Sequence, residues 1–329
     1  MRVTASCPGS CGELIQGWFG DSQKLVSYGI NRFSRVTISS EKNPEASKPK
    51  VEEALRQTLT YLEVSSREAD NFLLEIDSDL PVAKGMASST ADIAATCQAV
   101  AGYYGKQLSR DEIVDICLAI ERTDSILFPT LTLFEQKNGS VRESSGWAPH
   151  FYVIVLEPEE TLATDVFHSV ENDRLFYQQR ERFAEVFRHY QQAVKDKSLQ
   201  KLGEAAMQSA VLNQEILPKP YFVELLKLQQ CHQWLGINVA HSGSVVGIMI
   251  ETLAEIPATL AVIQRSELSR WYSKVKVHES CYEGVQLIEA RGKNEEADDR
   301  SRLQRLRKND DHTWINEAFA KSRLSNPAL

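Results

Sequence analysis

Gly85, Ala87, Ser88, Ser89 and Thr90 crowd one short stretch, Pro81 to Asp92, between a strand-patterned segment (Phe72 to Asp77) and a helix-patterned one. Small side chains there let an anion approach the backbone. A helix opening at that point aims its unsatisfied N–H groups and the positive end of its dipole at such an anion. Ser89 and Thr90 add hydroxyls that can reach a phosphate or its magnesium, while Lys84 can screen phosphate charge or point to water. The competing reading is an ordinary helix start, where a Ser or Thr satisfies one backbone donor. Neither a GxxxxGK[ST] P-loop nor a GxGxxG opening a strand–helix unit is present.

Two further segments carry the same kind of signal. Val239-Ala240-His241-Ser242-Gly243-Ser244-Val245-Val246-Gly247-Ile248 is a Gly-containing turn feeding an apolar strand, and Cys7-Pro8-Gly9-Ser10-Cys11-Gly12-Glu13-Leu14-Ile15-Gln16-Gly17 lies near the N-terminus. In their order along the chain, the three segments resemble the three motifs of the GHMP small-molecule kinases. The 81–92 stretch is similar to the family's PxGxGLGSS, with Ala83 and Ala87 where glycines are usual. The variant PGSCGELIQG resembles one branch, the L-threonine kinases of cobalamin biosynthesis. The resemblance runs over roughly residues 1 to 285.

That resemblance implies an α+β fold of two domains, an N-terminal ribosomal-protein-S5-like domain and a C-terminal ferredoxin-like α/β sandwich, with the active site between them. It implies phosphoryl transfer from ATP with Mg2+ to a small alcohol, here L-threonine, giving O-phospho-L-threonine for the aminopropanol linker of adenosylcobalamin. Pro81, Ala83, Lys84, Gly85, Met86, Ala87, Ser88, Ser89 and Thr90 would cradle the nucleotide, and Ser89 with Glu121 would hold the metal. Asp124 corresponds to an Asp beside the acceptor hydroxyl in many members. The spacing from Glu121 is short, however, and Asp124 serves equally as a magnesium ligand or a helix cap. Residues three apart can share one helix face, so both carboxylates could converge on one centre. The acceptor would lie near the first motif. Glu13 is the candidate for its ammonium group, and Ser10, Gly12 or Arg32 and Arg35 for its carboxylate, since Arg suits bidentate carboxylate recognition. His241, Ser242 and Gly243 could contact acceptor or γ-phosphate. Homoserine is the nearest rival substrate. A catalytically silent sensor of ATP or an amino acid is the rival of another class, motivated by Ala83, Ala87 and the short Glu121–Asp124 spacing.

Composition is compatible with these roles. The chain has 329 residues, 42% of them hydrophobic, and a net charge of −8 from 37 basic and 45 acidic residues. That balance argues against general affinity for nucleic acid or acidic membranes. No run approaches the roughly 18 apolar residues of a membrane span, and the first residues lack an apolar signal region, which predicts a cytoplasmic protein. The 6 cysteines lack paired zinc spacing and read as reduced thiols; Cys7 and Cys11 are close enough in sequence to be a ligand pair or a disulfide, but no second pair accompanies them.

The elements that must position these residues follow from pattern. Strands are predicted at Leu25 to Tyr28, Arg35 to Ser40, Leu131 to Phe134, Ser140 to Arg142, Tyr152 to Leu156, Val245 to Ile250 and Lys274 to His278. Helices are predicted at Val51 to Leu62, Ser88 to Tyr104 and from Ser109, which opens a capping box with Glu112. Further helices are predicted over Asp173 to Lys195, Ser198 to Ile216 and Pro220 to Leu235. Helices laid on a sheet without regular alternation indicate α+β. The expected division is residues 1–160, 161–291 and a charged tail, 292–329, in which Trp314, Ile315 and Phe319 have helical spacing.

Overall fold

The computed structural model describes residues 1–40, 48–161 and 170–291. The tail expected at 292–329 lies outside the described residues.

Strands β1 (Arg2–Phe19) and β2 (Ser22–Ser39) form one long hairpin, each 18 residues in length. The sequence reads as strand-like over residues 1–40 but delimits only two short pieces, Leu25 to Tyr28 and Arg35 to Ser40, neither of them in β1. β1 is buried on both faces over most of its length, so the polar–apolar alternation that signals a strand is lost. Pro8, Gly9 and Gly12, which read as turn formers, sit at register shifts between Pro8 and Gly9 and around Ser10 to Ile15. Such bulges are where a sheet accepts these residues.

β3 (Leu73–Ser78), β4 (Thr132–Glu135), β5 (Arg142–Ser144), β6 (Tyr152–Glu157), β7 (Gly236–Val239), β8 (Val246–Ile250), β9 (Lys274–Cys281) and β10 (Gln286–Arg291) complete a 10-stranded sheet. Its order is β10-β1-β7-β8-β6-β9-β2-β4-β5, with β3 paired to β2. The hairpin serves both halves of the chain: Glu13 of β1 pairs with Val239 of β7, and Gly29 and Ile30 of β2 pair with Cys281 and Ser280 of β9.

Three apolar clusters fix the helices on this sheet. α1 (Pro49–Tyr61), α2 (Ser88–Tyr103) and α3 (Arg110–Ile120) pack Leu59, Ile93, Val100 and Val114 against Val3, Ala5, Val36 and Ile38. α2 is buried from Thr90 to Gly102, which its alanines make possible, and the predicted capping box of Ser109 and Glu112 opens α3. The helix expected over 173–195 is two, α4 (Val170–Gln178) and α5 (Arg180–Asp196). They break at Gln179, whose Nε2 donates to Leu212 O at 3.3 Å and Glu215 Oε2 at 3.0 Å. α5 and α6 (Leu199–Asn213) cover Leu14, Ile15 and Val26 with Phe183, Phe187 and Leu202. α7 (Phe222–His232), α8 (Ile256–Arg265) and α9 (Leu268–Trp271) enclose Ile154, Ile237 and Ile248. β7, β10, α8 and α9 were not anticipated. All 6 cysteines are free thiols, so Cys7 and Cys11 form no disulfide.

α6 lies unusually near β7. A Cβ on Gly203 would stand 2.0 Å from Leu235 O, closer than any real contact allows. Gly→Ala inside a helix ordinarily gains about 0.5–1 kcal/mol. Gly203→Ala is expected to do the reverse, lowering the unfolding free energy by about 1–3 kcal/mol through overpacking and the denaturant midpoint with it; an unchanged or raised midpoint would show that α6 is free to move off the strand.

Candidate active site

The turn between β3 and α2 has a repeating backbone signature. Ala83, Gly85 and Ala87 are all left-handed, with φ of 58°, 78° and 55°. The two alanines at positions where the resembled motif has glycine therefore hold the glycine conformation, at a cost of about 1–2 kcal/mol each. Ala87 is the N-cap of α2 and offers no side-chain acceptor to the first turn. By contrast Ser109 caps α3 and Ser198 caps α6. An ordinary Ser or Thr cap is thus excluded at α2, and its leading N–H groups are available to an anion.

The turn is held from below by the loop between β7 and β8. A Cβ on Gly243 would lie 2.3 Å from Lys84 O and 2.4 Å from Gly85 Cα, so the two loops meet backbone to backbone. Ser244 N and Val245 N donate to Lys84 O at 3.0 and 3.2 Å, and Ser10 N donates to Met86 O at 3.1 Å. Lys84 Nζ donates to the carbonyls of Pro158 (2.7 Å), Glu159 (2.8 Å) and Glu160. Its side chain thereby fastens the turn to the end of β6.

Beside the start of α2 stands Asp124. Ser27 Oγ and Thr90 Oγ1 make long contacts to its two carboxylate oxygens, 3.4 and 3.5 Å. Its pKa is pushed up to about 7, first by burial and then by the negative charges of Glu13 and Glu121, although the residue as a whole keeps some exposure. Glu121 and Asp124 do not share a helix face, because α3 ends at Ile120 and Glu121 is extended. Asp124 instead precedes the short 3-10 turn Ser125–Leu127. Glu121 Oε2 pairs with Lys50 Nζ at 2.5 Å.

The first motif meets the third across a buried polar network. Glu13 Oε2 accepts from His241 N at 2.8 Å and lies 3.1 Å from His241 Nδ1. On the far side of the ring, His241 Nε2 is 2.9 Å from Ser209 Oγ, which accepts from Gln16 N at 3.1 Å. Ser209 can then donate to Nε2, which assigns the ring proton to Nδ1, facing Glu13. Asn238 ties the bulge of β1 to β7: its Nδ2 donates to Cys11 O, and Tyr28 OH donates to its Oδ1 at 3.0 Å. Gly12 is left-handed at φ 67°, and a Cβ there would meet Ala240 N at 2.5 Å. Glu13 Oε1 takes no hydrogen bond from the described residues.

Other expected residues are placed as follows. Arg32 Nη1 donates to the buried Glu157 Oε1 at 2.7 Å. Arg35 pairs with Asp79 at 3.2 Å. Ser242 is partly exposed at the tip of the 240–245 turn, and Ser10 Oγ is buried without a hydrogen-bond partner. Ser209, Asn213, Asn238 and Lys219 belong to this assembly and were missed in the sequence. The first three lie on elements whose inward polar faces carry no local signal. Lys219 had one: it stands between Pro218 and Pro220, a rigid frame for a single cation.

The donor chemistry suits a hard divalent cation. Asp124 is raised partly by repulsion from Glu13 and Glu121, a charge that such a cation would relieve. No group of 3 or more His, Cys, Asp or Glu converges as a ready-made metal site among the described residues.

Comparison with known proteins accords with this geometry. The model of the GHMP kinase N-terminal domain matches residues 50–127. The L-threonine kinase of Citrobacter freundii is 38% identical over 249 residues, 76% of this chain and 86% of that protein. The L-threonine kinase of Salmonella typhimurium is 35% identical over 289 residues, 87% of this chain and 95% of that one. The crystal structure of homoserine kinase from Cytophaga hutchinsonii superposes with a TM-score of 0.61 at 13% identity, covering 87% of this chain and 97% of that chain, a likeness of fold.

The left-handed alanines give a stability test. Ala87→Gly is expected to raise unfolding free energy by up to about 1 kcal/mol, relief of the left-handed cost outweighing the added chain entropy. Loss of stability in Ala87→Gly would contradict the turn geometry.

Proposed function

This chain belongs to the GHMP kinases, alcohol-acceptor phosphotransferases, and we propose that it transfers the γ-phosphoryl group of Mg-ATP to the hydroxyl of L-threonine. The observation that carries the choice of acceptor is the pair of L-threonine kinases that are 35–38% identical along most of both chains. The products would be O-phospho-L-threonine and ADP, the former serving the aminopropanol linker of adenosylcobalamin in the cytoplasm. No helix among the described residues is long and apolar enough to cross a membrane.

In this reading the turn from Ala83 to Ser89 and the uncapped start of α2 receive the nucleotide phosphates through backbone donors. Ser89 Oγ and the Glu121 carboxylate would hold Mg2+, which would supply charge neutralisation at the phosphates. Asp124, with a proton affinity near neutrality, stands where it can orient the acceptor hydroxyl and take its proton. Glu13, fixed by His241, offers its remaining oxygen to the ammonium group. Phosphoryl transfer through a loose transition state rewards this kind of positioning more than covalent chemistry.

Purified protein with Mg-ATP and L-threonine, L-serine or L-homoserine, followed for ADP and phospho-amino acid, tests the reading. Threonine-dependent ADP release is expected. Turnover only with homoserine would replace the acceptor, and no turnover with any alcohol would point to the sensor. Asp124→Asn should lower kcat by about 10²–10⁴-fold, the usual contribution of a positioned base; a change of only a few-fold would remove Asp124 from that role.

A further inference from the structure

An amino-acid acceptor brings a carboxylate as well as an alcohol, and the buried cations show where a carboxylate can go. Among the described residues four lysines and arginines are buried: Lys24, Arg32, Lys84 and Lys219. Lys24 is paired with Asp21 at 3.1 Å and Arg32 with Glu157 at 2.7 Å. Lys84 directs its ammonium at three carbonyls, one for each proton. Lys219 differs from all of these. Its Nζ donates to Gly243 O at 2.8 Å and Leu217 O at 3.3 Å, and no carboxylate of the described residues lies within ion-pairing distance. One ammonium proton is left over.

A buried charge without a counterion is costly, and burial pulls the pKa of Lys219 down to about 7 against the smaller opposing pull of Glu13. Side chains nearby are also incompletely satisfied. Asn213 Nδ2 donates to His241 O at 3.2 Å, two residues from the carbonyl that Lys219 grips, yet Asn213 Oδ1 is buried and unpartnered, as is Ser10 Oγ of the first motif. Lys219, Asn213 and Glu13 all grip the 241–243 segment. Together they carry the complement of a zwitterion: a cation with a spare proton, a carboxylate with a spare oxygen and a spare amide acceptor. The nucleotide phosphates are served separately by the start of α2.

We propose that Lys219 is a specificity-determining residue that receives the α-carboxylate of the acceptor amino acid. This rests on the reading of the protein as an amino-acid kinase. Lys219 thereby makes the enzyme discriminate amino acids from the corresponding amino alcohols, while its bond to Gly243 O keeps the substrate-facing turn in place.

The test compares L-threonine with 1-amino-2-propanol, the same alcohol without the carboxylate, in wild type, Lys219→Met and Lys219→Gln. In the variants the KM for threonine is expected to rise about 10- to 100-fold, the worth of a charge-assisted hydrogen bond. kcat and the KM for ATP should stay within a few-fold, and the preference for threonine over 1-amino-2-propanol should collapse. If both acceptors lose equally, Lys219 merely braces the 241–243 turn; if the KM for ATP rises instead, it serves phosphate. Either result overturns the proposal. Should the variants fail to fold, the Lys219 side-chain resonance of the wild type is expected to shift with threonine and not with 1-amino-2-propanol, and no difference overturns it. A wild type that rejects threonine but accepts serine or homoserine defeats the substrate reading alone, and the same comparison then runs with ethanolamine or 3-amino-1-propanol.

Discussion

Two loops that are distant in sequence touch backbone to backbone where Gly243 meets Lys84 and Gly85, and the rest of the site is organised by that contact. No side chain longer than hydrogen fits between them. The contact lets Ser244 N and Val245 N reach Lys84 O, which holds the turn in its alternating left-handed form before any ligand supplies a reason for it. A turn containing two strained alanines needs such over-determination. Its result is a helix start that no side chain caps, with its leading N–H groups open to an anion.

The same loop carries His241 toward Glu13 and presents the Gly243 carbonyl to Lys219. The 83–87 turn, the first motif and Lys219 are therefore coupled through one short segment between β7 and β8. Close approach of α6 to β7 at Gly203 and Gly236 brings Ser209 and Asn213 within reach of that segment. Burial disfavours the charged forms of two groups of the site: it raises the pKa of Asp124 and lowers that of Lys219 to about the same value. Each would regain its charged form most readily against an opposite charge, and a magnesium nucleotide and a zwitterionic acceptor bring such charges together.

Much of this was legible in the sequence where local chemistry carries the signal. The 81–92 turn, α2 with its alanines and the Ser109 capping box followed from residue types and order. The long β1–β2 hairpin was hidden because burial on both faces erased its alternation and bulges placed Pro8, Gly9 and Gly12 inside a strand. The break at Gln179 depends on Leu212 and Glu215, which only tertiary contact brings near. Ala83 and Ala87 looked like departures from a glycine pattern. Their dihedral angles show that the backbone kept the pattern and absorbed the cost. Asn213 escaped notice for a different reason, since an acceptor left over after folding is a property no single segment possesses, whereas Lys219 carried a local signal in its two flanking prolines.

Amide hydrogen exchange resolved by residue tests the central claim, a phosphate turn preformed by its seat on the 240–245 loop, most directly. In the nucleotide-free protein the amides of Ser10, Ser244 and Val245 should already be protected, while those of Ser88, Ser89 and Thr90 exchange fast and slow only when Mg-ATP is added. Rapid exchange at Ser244 and Val245 that slows together with Ser88 to Thr90 on addition of Mg-ATP would contradict it, because the nucleotide rather than the glycine contact would then be building the turn.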